Sequence, residues 1–135
     1  MSFIEQNPAY ILFGLLLGWL LWQRLAAPAL SGVKNIPAAD YVKMSTQPHT
    51  LLDVRQDVEW ASGHAEAAMH IPLAELKQRS NEIAPDQPVV VICASGNRSA
   101  MAATLLAKSG FTSVYNFSGG MSAWDGTLLP VKRSV

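Results

Sequence analysis

The sequence predicts an α/β domain built on a parallel sheet and preceded by one apolar N-terminal helix. Two observations carry the domain. From about residue 36 onward, short apolar runs such as TLLDV (50–54), VVVI (89–92) and VYNF (114–117) alternate with segments of helical pattern, the mark of βαβ units. The run Val89 to Ile92 is unbroken and branched, as in a central strand covered on both faces. A third observation sets the N-terminus apart: AYILFGLLLGWLLW, Ala9 to Trp22, runs for 14 residues without a charge. The chain divides accordingly into residues 1–30 as an anchor, 31–35 (within LSGVKN) as a linker and 36–135 as the domain. At 135 residues it can bury one real core.

Each element has its local reason. Asn7 followed by Pro8 starts a helix and Pro28 stops one. A helix from Pro8 to about Ala27 would span roughly 30 Å, a bilayer core. Arg24 would snorkel to the headgroups, and Trp19 and Trp22 suit an interfacial belt. The alternative is a secretory signal cut near Ala27-Pro28-Ala29, leaving a secreted or periplasmic product. Residues 1–7 hold no Lys or Arg, which favours an uncleaved anchor. Arg24, Lys34 and Lys43 follow the span and place the domain on the cytoplasmic side. Gly14 and Gly18 form a G-x-x-x-G, the basis for a weak homodimer.

Beyond the linker, Pro37 opens a short helix from Ala38 to about Ser45. Thr50 to Val54 reads as a strand, Val58 to Ala61 as a helical turn, and Met69 to Ile71 as a brief strand. Leu73 to about Ile83 reads as an amphipathic helix, with Leu73, Leu76 and Ile83 near one face. Val89 to Ile92 follows Pro88. Ser99 to Ser109 reads as a helix with Met101, Ala102, Leu105 and Leu106 as its buried stripe and Gly110 at its C-cap. Val114 to Phe117 is a strand, and Gly119 to Asp125 a last short helix.

Ten basic and ten acidic residues give zero net charge, with no basic stripe to attract nucleic acid. The single cysteine can form no internal disulfide, and Cys/His metal spacing is absent. A lone thiol suits a reducing compartment.

That cysteine, Cys93, stands at the carboxyl end of the apolar run, where open parallel sheets bind their ligands. Ala94, Ser95, Gly96, Asn97, Arg98 and Ser99 follow it. Ser95, Gly96 and Asn97 tolerate tight turns and positive φ. Successive backbone N–H groups in such a turn make an anion-binding nest. A helix start and the Arg98 charge lower a thiol pKa and favour the nucleophilic thiolate. Four residues separate Cys93 from Arg98. The cysteine phosphatases use C-x5-R, so this smaller ring suits one added sulfur better than a phosphate.

Five motifs in order then resemble the rhodanese (sulfurtransferase) domain over about Ile36 to Val131. They are LLDVRQDVEWASGH (51–64), HIPL (70–73), CASGNRS (93–99), the G-F to G-G-M-x-x-W ending (110–124) and LPV (129–131). The resemblance implies a rhodanese-like fold with a five-stranded, mostly parallel sheet flanked by helices. It implies a sulfurtransferase with Cys93 as nucleophile. Cys93 would take sulfane sulfur from thiosulfate or a persulfide donor and pass it to cyanide or a thiol acceptor. The backbone of Ala94 to Ser99 would bind the anionic persulfide. No metal or organic cofactor is implied. Asp53, Arg55 and Glu59 would support the loop through a charge network with Arg98. His64 and His70 read as structural, His49 as a solvated loop residue, and Trp60 and Trp124 as packing. Ala94 stands where many members carry a charge, so a protein or small-thiol persulfide suits the site better than free thiosulfate. The alternative is a non-catalytic or weakly catalytic module that binds a membrane-proximal partner.

Overall fold

The computed structural model describes residues 7–23 and 32–133. The chain forms two compact units, residues 1–31 and 32–135. In the first, helix α1 spans Pro8–Leu21, with Pro8 in its first turn and no buried residue.

This helix overturns the membrane reading. Its 14 residues extend about 21 Å, short of the roughly 30 Å hydrocarbon core. Among the described residues no helix is long and apolar enough to cross a membrane. The cytoplasmic orientation, inferred from Arg24, Lys34 and Lys43, has no span among the described residues to act on. The homodimer through Gly14 and Gly18 rested on packing in lipid and loses that basis. Arg24 and the cleavage-site reading at Ala27 to Ala29 lie outside the described residues.

The second unit carries the sheet. Strand β1 is Val33–Ile36 and helix α2 is Ala38–Met44. Strand β2 is Thr50–Asp53 and α3 is Asp57–Ser62. Short strands β3, His64–Ala65, and β4, Met69–His70, follow. Helix α4 is Leu76–Arg79, β5 is Val89–Ile92 and α5 is Asn97–Lys108. Strand β6 is Val114–Phe117, α6 is Gly120–Trp124 and β7 is Val131–Lys132. The main sheet has five strands in the order β1-β6-β5-β2-β4, all parallel. Strands β3 and β7 form a small antiparallel pair.

All four residues of β5 are buried, because the strand is central and both its faces are covered. Alternation sends Val89 and Val91, then Cys93, into a core shared with Ala102, Ala103 and Leu106 of α5. Val90 and Ile92 meet Tyr41, Phe117 and Trp124 on the other face. At roughly 25 cal/mol per Å² of apolar area, these two layers are the main force holding the strand end that bears the cysteine.

Three local readings change. Val33–Ile36, within the segment read partly as linker, is an edge strand with its residues registered on Val114 to Phe117. The helix expected over Leu73 to Ile83 breaks into a 3-10 turn at Leu73–Glu75, α4, and a second 3-10 turn at Ser80–Glu82. The break falls at Arg79, whose φ of −113° and ψ of 8° leave the helical region. On α5, Met101 is 65% exposed rather than buried. Ala102 and Leu106 face inward as expected, Leu105 is partly buried against the core, and Ser99 and Ala103 complete the stripe.

Candidate active site

Strand β5 delivers Cys93 to the end of the sheet, fully buried. The Cys93 carbonyl accepts the Met121 N–H at 2.9 Å, so the first turn of α6 pins the loop from outside. The fit there is close. Gly120 has φ +57°, and a Cβ on it would collide with the backbone of Cys93 and Ala94, so only glycine fits without displacing the loop.

The loop then curls over the sulfur. Gly96 takes the left-handed conformation, φ 102°, just before α5 begins at Asn97. Its N–H donates to Cys93 Sγ at 3.0 Å. The Cys93 S–H donates to Ser99 Oγ at 3.3 Å. Burial alone pushes the thiol up. The Ser99 hydroxyl and the backbone N–H groups of Ser99, Gly96 and Ser95 outweigh it and bring the thiol below its ordinary value. The site is therefore a preorganised cradle for negative charge on sulfur at a helix start.

Two carboxylate–guanidinium pairs lie nearby. Arg98 reaches Glu59 through Nη1–Oε1 at 2.5 Å and Nη2–Oε2 at 2.8 Å. Glu59 also accepts the Gln56 N–H at 3.1 Å, closing a capping box on α3. The Arg98 hydrogen bond, against the opposing effect of partial burial, pulls the Glu59 carboxyl down to about 2. Separately, Arg55 grips Asp53 through Nε at 3.0 Å to each oxygen and Nη2 at 2.8 Å, and gives Nη2 to the Gly63 carbonyl.

Residues 37–127 match the family model of the rhodanese-like domain. The chain belongs to that family. It is 32% identical over 98 residues to the thiosulfate sulfurtransferase GlpE of Pseudomonas fluorescens, covering 73% of this chain and 90% of that one. It is 46% identical over 78 residues to the uncharacterized protein YqhL of Bacillus subtilis, covering 58% of this chain and 62% of that protein. The chain thus matches less than two thirds of YqhL. The crystal structure of a rhodanese-related protein from Thermoplasma volcanium superposes with a TM-score of 0.65 at 34% identity, over 73% of this chain and 97% of that one.

Within this rhodanese frame, the residues singled out from the sequence divide. Ser95, Gly96 and Ser99 surround the sulfur, while Ala94 and Asn97 shape the turn. Arg98 points to Glu59. Among Asp53, Arg55, Glu59 and Arg98 the hydrogen bonds form two pairs, Asp53–Arg55 (with Gly63) and Glu59–Arg98, while the charge of Arg55 acts on Glu59 and that of Asp53 on Arg98. The imidazoles are engaged: His64 Nδ1–H donates to the Trp60 carbonyl at 2.7 Å and His70 Nε2–H to the Arg55 carbonyl at 2.8 Å. Both rings stack on Trp60. His49 is not simply solvated, since its Nε2 meets the Tyr41 hydroxyl at 2.8 Å. Trp124 packs on Tyr41 and Phe117.

The sequence reading missed Asn116 and Asn35. Asn116 is buried on β6 and accepts the Ser99 hydroxyl proton at 2.5 Å. Its amide donates to Asn35 Oδ1 at 3.1 Å and the Gly96 carbonyl at 3.2 Å. The available signal was an asparagine inside the otherwise apolar run VYNF, because a polar residue in a buried strand needs partners.

Proposed function

We propose that this rhodanese-like domain is a sulfurtransferase with Cys93 as its sulfur carrier. The Cys93 thiolate attacks the outer sulfur of thiosulfate or of a persulfide. The donor's S–S bond breaks, and sulfite or a thiolate leaves with the bonding pair. Cyanide or an acceptor thiolate then attacks the outer sulfur of the Cys93 persulfide and releases the Cys93 thiolate. Electrons balance without an external oxidant.

The observation that carries this reading is the cradle: Gly96 N–H at 3.0 Å and Ser99 Oγ at 3.3 Å from Sγ, at the start of α5. Anionic sulfur is what such a cradle favours. The family relationship to a thiosulfate sulfurtransferase supports it. Ala94, an uncharged residue directly after the cysteine, offers no anchor for an anion, which favours a thiol persulfide over doubly charged thiosulfate as donor.

Intact mass of the full chain tests the proposal, before and after thiosulfate and glutathione persulfide. One sulfur atom should be gained, more completely from the persulfide, then removed by cyanide and absent in Cys93→Ser. No gain from either donor would end the enzymatic reading.

A further inference from the structure

The polar chain behind the sulfur has a direction that the hydrogen-bonding chemistry settles. A backbone carbonyl only accepts, so the Asn116 atom 3.2 Å from the Gly96 oxygen is Nδ2. Asn116 Oδ1 therefore faces Ser99, 2.5 Å away. The Ser99 hydroxyl has one proton, and here it is given to Asn116. Ser99 can then only accept from Cys93, as the S–H at 3.3 Å does. The run Cys93 to Ser99 to Asn116 to Asn35 is fully assigned, with the sulfur protonated.

An ionised sulfur has no proton to donate. The Ser99 O–H must then rotate from Asn116 Oδ1 to Sγ, without breaking its covalent bond, and Asn116 Oδ1 loses its donor in a buried place. Register makes the arrangement possible. Asn35, Asn116 and Val91 are cross-strand partners, so they share the face of the sheet that carries Cys93 and α5.

We propose that Asn116 is a positioning residue that divides the single Ser99 proton between its own carbonyl oxygen and the Cys93 sulfur, and so sets how readily that sulfur takes up charge. The inference rests on Cys93 being the reacting group, but its test needs no sulfur donor. Arg98 of α5 is charge-coupled to Cys93 and, away from the sulfur, to Glu59 of α3 and Asp53 of β2. Strand β6 and helix α6 carry no charged side chain, and Lys34 of β1 alternates to the face away from Asn35.

The experiment follows thiolate absorbance against pH in the full chain. Asn116→Leu removes the competing acceptor and should lower the Cys93 ionisation midpoint by roughly half to one pH unit, the worth of one hydrogen bond. In a Ser99→Ala background the same substitution should leave the midpoint unmoved. An equal shift in both backgrounds would mean that Asn116 acts through loop shape, and no shift in either would mean that it does not act; both overturn the proposal. Should Asn116→Leu not fold, the unaltered chain still decides. The Asn116 side-chain amide resonance should follow Cys93 ionisation with the same midpoint and stay flat in Cys93→Ser, and a flat signal in the unaltered chain overturns the proposal. Failure of the sulfurtransferase reading looks different: no persulfide forms, while the ionisation coupling stands.

Discussion

Two ion pairs flank the loop, and they are chemically alike but physically different. Asp53–Arg55 joins residues two apart, with side chains 0% and 7% exposed. Glu59–Arg98 joins residues 39 apart, with side chains 31% and 35% exposed. The first is a buried pair, whose attraction must offset the loss of two hydration shells. The second is half in water, where screening leaves little stability. The contrast teaches that the same carboxylate–guanidinium motif can hold a fold in one place and aim a side chain in another. Arg55 closes the end of β2 onto Gly63. Glu59 takes up the charge of Arg98, beside the sulfur, and keeps the first turn of α5 docked on α3.

The largest expected effect breaks the buried pair. Arg55→Met leaves Asp53 charged and unpaired, and should destabilise by about 3–5 kcal/mol. Asp53→Asn with Arg55→Met removes the charge and keeps an acceptor for the backbone N–H of residue 55. The double variant should therefore be more stable than Arg55→Met alone in urea denaturation. Equal loss in both would show that the packing of Arg55, not the orphaned charge, dominates.

The half-exposed pair should give less. Glu59→Gln is expected to lower stability at pH 7 by about 1 kcal/mol or less after screening. The sign follows from a carboxyl held down at about 2. Its stabilisation is complete above the ordinary carboxylate range and is lost as pH falls through about 2. Melting temperatures of the parent and Glu59→Gln should thus differ at pH 6 and converge toward pH 2; a gap that persists in acid argues against the pair as its source.

The smallest effect is on the sulfur. Glu59→Gln leaves the Arg98 charge uncompensated near Cys93. The thiol should then ionise lower by a few tenths of a pH unit, seen as faster alkylation by iodoacetamide near neutral pH. No change would place Arg98 too far from Sγ to act on it electrostatically.

Much of the domain was legible before folding. VVVI announced a central strand because an unbroken branched run is stable only when covered on both faces. CASGNRS announced a turn and helix start because glycine and small polar residues suit that backbone. Strand β1 was hidden because VKNI has two apolar residues and pairs on one side only. Met101 was misread because helical spacing defines a stripe only to within a residue or so, and which side faces the sheet is set by the packing. The apolar run at Ala9 to Trp22 spoke for a bilayer by composition, yet among the described residues no helix is long and apolar enough to cross one.

By itself the sequence determined the alternation of strands and helices, the seat of Cys93 at a strand end and the small-residue turn that follows. These depend on backbone preferences and on apolar periods spanning a few residues. Only the tertiary structure decided that Glu59 meets Arg98, that Arg55 turns back to Asp53, and that Asn116 and Asn35 line up behind Ser99. Those outcomes depend on which distant segments share a sheet face, and a hydrogen bond has no direction until its partner is in place.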